Sequence, residues 1–153
     1  MLFVVRPVQP HDVPALARMR AALWPDASID EHTAEAKVIA VGDHTGSLPL
    51  VVFVAEMANG ELAGFVEVGL RSHADGCDPA QPVGYIEGWF VEPARRGQGV
   101  GRQLIAQAEE WAQEQGCKEM ASDTWIDNES SQRAHEALGY EVVDRCVLFR
   151  KSL

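Results

Sequence analysis

The sequence predicts one α/β domain, a mixed β-sheet with helices on both faces. Three observations carry that expectation. Four stretches read as helix, two of them by apolar residues at helical spacing, and six as strand, in the order β-α-α-β-β-β-α-β-α-β. A chain of 153 residues with 46% hydrophobic content can bury one sizeable core. No internal repeat, low-complexity tract or linker divides it.

Leu2 to Val8 alternates as a first strand, closed by Pro7 and Pro10. From Asp12 to Leu23, Val13, Leu16, Met19, Ala22 and Leu23 recur on one helical face, and Pro25 stops the helix. A second helix covers Asp30 to Val41 and ends at Gly42; polar turn residues follow as far as Pro49. Leu50 to Met57 and Leu62 to Leu70 form a hairpin around Asn59-Gly60, residues that tolerate positive φ. Arg71 to Pro82 is a polar connection. Val83 to Val91 is a strand, and Val100, Leu104, Ala108 and Trp111 mark the inner face of a helix capped by Gly116. Lys118 to Thr124 is the next strand. Asp127 or Asn128 caps a helix running to Leu138, and Tyr140 to Lys151 reads as a final strand rich in valine, leucine and phenylalanine.

Between strand and helix lies Glu92-Pro93-Ala94-Arg95-Arg96-Gly97-Gln98-Gly99-Val100-Gly101-Arg102. A glycine-rich turn opening a helix converges several backbone N–H groups on one point, and the flanking arginines suit a phosphorylated ligand. A Walker loop would end in Gly-Lys-Ser/Thr and a dinucleotide fingerprint would read G-x-G-x-x-G; neither fits. Arg96-Gly97-Gln98-Gly99-Val100-Gly101 does fit Arg/Gln-x-x-Gly-x-Gly/Ala, and resembles the acyl-CoA pyrophosphate loop of the GNAT superfamily of N-acetyltransferases. The order of elements is similar to theirs. The resemblance therefore implies a GNAT fold, a mixed but mostly antiparallel sheet flanked by about four helices, with acetyl-CoA as co-substrate and no metal.

Leu23-Trp24-Pro25-Asp26, Glu87-Gly88-Trp89-Phe90-Val91, Ala121-Ser122-Asp123-Thr124 and His135-Glu136-Ala137-Leu138-Gly139-Tyr140 narrow it. Together they resemble aminoglycoside 6′-N-acetyltransferases of the chromosomal, homodimeric branch. That resemblance implies acetyl transfer from acetyl-CoA to the 6′-amine of an aminoglycoside, an antibiotic-resistance activity, by a homodimer. It implies that backbone groups of Trp89, Phe90 and Val91 meet the pantetheine arm and acetyl oxygen at a strand bulge. The amides of Gly97, Gln98, Gly99, Val100, Gly101 and Arg102 would take the pyrophosphate, with help from the Arg96 and Arg102 charges; Asn128 would touch the cofactor or simply cap its helix. Glu87, Asp123 and Asp144 match acidic substrate-binding positions, and Trp24 an aromatic wall. Glu87 or Asp123 would receive the amine proton, and His135, where relatives place a tyrosine, would protonate the CoA thiolate. Each has a plainer account: a loop carboxylate for Asp123, a solvated strand residue for Glu87, a core anchor for Trp24, a packed helix-face imidazole for His135. The connection from Arg71 to Pro82, Ala27 and Phe149 depart from the pattern of relatives.

The formal net charge of −10, from 23 acidic and 13 basic residues, argues against nucleic acid as a partner. It suits a cleft for a polycation, leaving open another polyamine or a lysine side chain as acceptor, or a non-catalytic acyl-CoA sensor. Cys77, Cys117 and Cys146 are scattered, without metal-ligand spacing, as reduced thiols in a cytoplasmic protein would be. The N-terminus reads as a strand rather than a signal peptide, and no apolar run suits a membrane span.

Overall fold

The computed structural model describes residues 2–44 and 46–153. Met1 and Thr45, the latter within the polar turn expected before Pro49, lie outside the described residues. The elements are β1 (Phe3–Pro7), α1 (Val13–Leu23), α2 (Ile29–Ala40), β2 (Leu50–Met57), β3 (Leu62–Arg71), β4 (Val83–Val91), α3 (Val100–Glu114), β5 (Met120–Ser122) and α4 (Glu129–Ala137). The strands lie in sequence order in one sheet; the first three pairings are antiparallel and β4 with β5 is parallel.

Alternating side chains send the strands' apolar residues to two faces. Phe53, Ala55, Val66, Val68 and Ile86 meet Val100, Leu104, Ile105 and Ala108 of α3 on one side. Val52, Val54 and Phe65 meet Leu16 and Met19 of α1 and Ala36 and Ile39 of α2 on the other. Fully buried side chains such as Phe65, Leu16 and Leu104 each contribute about 1.5–3 kcal/mol. Leu16, Met19, Val100, Leu104 and Ala108 are among the residues whose spacing marked α1 and α3 in the sequence.

The expected last strand is not one. Residues 140–153 carry no strand pairing, and past Tyr140 every residue is exposed, Phe149 at 92%. Strand propensity reports a side chain's fit to a half-buried sheet, and needs a ladder partner to act on. β5, the edge strand on that side, is only three residues long, Met120–Ser122, and pairs with β4 alone. The β-branched and aromatic run of the tail does not add to its outer edge.

Asp12 ties β1 to the start of α1. Its carboxylate accepts two hydrogen bonds from Arg6, at 2.7 and 3.0 Å, and one from the Gln9 amide at 2.8 Å. Burial works against the charged form, yet Arg6 and that amide outweigh it and hold the Asp12 carboxyl below its ordinary value. A depressed carboxyl stabilises the fold above its unfolded pKa of about 3.9, and the contribution disappears as pH falls through the lower folded value. Asp12→Asn is expected to cost about 1–3 kcal/mol in urea unfolding at pH 7, with the gap to the unaltered protein closing progressively below about pH 4.

Candidate active site

The glycine-rich loop does what its sequence requires. A 3₁₀ turn at Pro93–Arg95 delivers the chain to Gly97 and Gly99, with φ of 76° and 85°. A Cβ at either would meet nothing within 4 Å, so left-handed backbone rather than crowding calls for glycine. Gly99 is the N-cap of α3, so the unpaired amides of the first turn follow directly. Gly101 is glycine for space: a Cβ there would lie 3.1 Å from Trp89 Cζ2.

A cavity of about 220 Å³ lies between this loop and α4, lined by Trp89, Val91, Arg96, Gly99, Arg102 and Ala134 among others. Arg96 Nε donates to the Val91 carbonyl at 2.9 Å, so this arginine also braces the loop against the end of β4. Val100 is buried in the core, leaving its amide rather than its side chain to serve a ligand. Trp89 Nε1 is buried without a hydrogen-bond partner among the described residues. Open amides, arginines and an unsatisfied indole N–H fit an anionic, carbonyl-bearing ligand such as an acyl-CoA. Asn128 caps α4, its Oδ1 accepting from Ser131 N at 3.1 Å.

The same strand opens in two directions. β5 pairs with β4 only along Gly84–Ile86, so Glu87 to Val91 run on with no β5 partner. On the β3 side, Glu67 faces Gly88 and Val68 faces Ile86, which leaves Glu87 as the extra residue of a bulge. Glu87 receives a two-pronged contact from Arg71, at 2.9 and 2.7 Å. The Arg71 guanidinium lies 3.5 Å from the centre of the Tyr85 ring, and the Tyr85 hydroxyl donates to Asp123 at 2.5 Å. Burial first, then that bond to Asp123, push the Tyr85 hydroxyl far above its ordinary pKa; it stays a donor and Asp123 the acceptor. Glu87 and Asp123 thus share one network, joined by two residues the sequence reading did not single out.

Trp24 closes this side. Its ring stacks near His32 (6.4 Å), meets Phe65 edge-on (6.2 Å) and covers Gly88, where a Cβ would lie 2.5 Å from the indole Cη2. A cavity of about 280 Å³ is lined by Glu35, Glu67, Glu87, His44, Leu50 and Leu70 among others. Glu67 is buried and ion-paired to Arg20; burial pushes its carboxyl upward, and Arg20 opposes the shift. Convergent carboxylates suit a polyamine.

His135 lies on the other face. Its Nδ1 contacts the Ser131 carbonyl at 2.7 Å and its Nε2 contacts Ser122 Oγ at 2.9 Å, and the ring meets Trp89 and Tyr140 edge-on. A carbonyl can only accept, so Nδ1 carries a proton, while Nε2 faces a hydroxyl that can donate to it or accept from it. Asp144 sits on the exposed tail, bonded to the Arg145 amide at 2.7 Å, and no hydrogen bond or ion pair joins it to Glu87 or Asp123 among the described residues.

Residues 16–140 match the acetyltransferase (GNAT) family. The chain belongs to that family. This GNAT acetyltransferase is 40% identical over 150 residues to aminoglycoside N(6′)-acetyltransferase type 1 of Klebsiella aerogenes, covering 98% of this chain and 97% of that one. Against the protein of the same name from Stenotrophomonas maltophilia it is 39% identical over 149 residues, covering 97% and 93%. It superposes with a TM-score of 0.87, at 36% identity and 100% coverage of both chains, on AAC(6′)-Iy in complex with the bisubstrate analogue CoA-S-monomethyl-acetylneamine. AAC(6′)-Ih from Acinetobacter baumannii gives 0.84 at 29% identity, covering 99% of each chain.

Arg20, Glu35, Glu67, Arg71 and Tyr85 escaped the sequence reading. Tyr85 lies two residues before Glu87 on β4, and Arg71 ends β3, the strand paired with it. Arg20 and Glu67 offered one signal, as charges placed among apolar helix and strand positions. Two substitutions should separate the halves of the GNAT site. Gly99→Val should weaken acetyl-CoA binding tenfold or more by calorimetry, through strain at positive φ. Asp123→Asn should lower turnover while leaving acetyl-CoA affinity within about twofold, since only the amine side loses a charge.

Proposed function

We propose that this chain transfers acetyl from acetyl-CoA to the 6′-amino group of aminoglycoside antibiotics, conferring resistance to them. One observation carries the proposal: the amide-rich loop and the carboxylate-lined cleft meet at one strand segment, Glu87 to Val91, which has no β5 partner. The names of the relatives support this acceptor and its 6′ position.

Gly97 to Arg102 and Arg96 hold the pyrophosphate, and backbone of Trp89, Phe90 and Val91 holds the arm and the acetyl oxygen. The amine lies against Trp24, Glu87 and Asp123. Its nitrogen, once deprotonated, bonds to the thioester carbon as the C–S bond breaks; the amine proton leaves through Glu87 or Asp123 and their water, and the thiolate takes one from the His135 side. The test is release of free thiol with a kanamycin-type aminoglycoside. Turnover with the 6′-amino compound and none with its 6′-hydroxyl analogue is expected; equal turnover of both would overturn the regiochemistry.

We further infer a homodimer in a reducing cytoplasm. Three unpaired cysteines support the compartment. Val142, Val143, Val147, Leu148 and Phe149, all exposed on an unpaired extended tail, support the dimer, since a second copy supplies the missing ladder. Asp144 rides on that tail, so its substrate-side role depends on the same pairing. Sedimentation should show a dimer for the unaltered protein and a folded monomer for the Leu148→Asp/Phe149→Asp variant; an unaltered monomer would refute the assembly.

A further inference from the structure

Arg20 is 3% exposed, yet it touches three side chains on the amine side, Glu67, Glu35 and Trp24. Its guanidinium bonds to Glu67 on β3 and, through the other terminal nitrogen, to Glu35 on α2. The same group lies 4.8 Å from the centre of the Trp24 ring, while its backbone carbonyl accepts the Trp24 N–H at 2.8 Å. Trp24 is therefore held between a cation and Gly88, the glycine beside the bulge. His32 Nε2 fixes the next turn by donating to the Trp24 carbonyl at 2.8 Å.

A buried ion pair is a weak source of stability, because desolvation consumes most of the attraction. What this one supplies is placement. A planar fork with fixed donors can bridge two carboxylates from different elements and face an aromatic ring, which an ammonium on a flexible stem cannot do. Of the groups it touches, Glu35 and Glu67 line the acidic cavity together with Glu87.

We propose that Arg20 is the positioning residue of the amine half of the site: through Glu67, Glu35 and Trp24 it sets the charge and the aromatic wall that meet the substrate's ammonium groups. The proposal rests on the acetyltransferase reading above and assigns Arg20 no contact with substrate.

Steady-state kinetics with a kanamycin-type aminoglycoside, acetyl-CoA titration and urea unfolding test it on Arg20→Lys, Arg20→Met and the double variant Arg20→Met/Glu67→Leu. Arg20→Met should raise the aminoglycoside KM about tenfold or more, with kcat within about threefold and acetyl-CoA Kd within about twofold. Arg20→Lys should fall between. In the double variant, where no buried charge is left unpaired, the urea midpoint should return toward that of the unaltered protein while KM stays high. The double variant carries the same reading if Arg20→Met fails to fold. Recovery of KM along with the midpoint would overturn the proposal, as would an unchanged KM or equal losses in KM, kcat and acetyl-CoA affinity. Absence of aminoglycoside turnover by the unaltered protein would instead remove the aminoglycoside reading and this proposal together; normal turnover with unchanged variant KM removes the proposal alone.

Discussion

The site depends on β4 keeping one neighbour and leaving the other. Its ladder with β3 runs from Val83 to Val91, while its ladder with β5 stops at Ile86. The long pairing makes the strand stiff; the short one leaves main-chain groups of a stiff strand open on one side. Dipoles fixed in advance cost no reorganisation when charge develops near them, and oxyanion stabilisation needs that condition. The bulge at Glu87 then turns the other side of the strand toward the acidic cleft.

On the proposed function, two reactants of opposite charge are met from one strand. The loop around Arg96 and Arg102 is a basic island on a chain of net charge −10. Glu35, Glu67 and Glu87 line the second cavity, and Arg71 and Arg20 are committed to them. Separate fields of opposite sign let an anionic thioester and a cationic acceptor approach without competing for the same surface.

What could be read in the sequence was what local chain geometry decides. Gly97 and Gly99 announce left-handed backbone, Gly99 the start of α3, and the spacing of Val100, Leu104 and Ala108 the face that α3 buries. Glu87 and Asp123 were legible through resemblance alone; that they share a network through Arg71 and Tyr85 depends on cross-strand register, which no single segment specifies. Arg20 and Glu67 lie 47 residues apart and meet because α1 crosses the sheet at that point. The tail after Tyr140 misled for a related reason: its composition favours a strand, and whether a partner exists is decided outside the segment.

The carboxylates around the second cavity have a consequence after the reaction is over. Converting an amine to an amide deletes one positive charge from the acceptor, so the groups that drew it in grip the product more weakly. Each lost contact with an ionised partner forfeits about 1.5–3 kcal/mol. On the proposed function, departure is favoured by the same electrostatics that govern arrival.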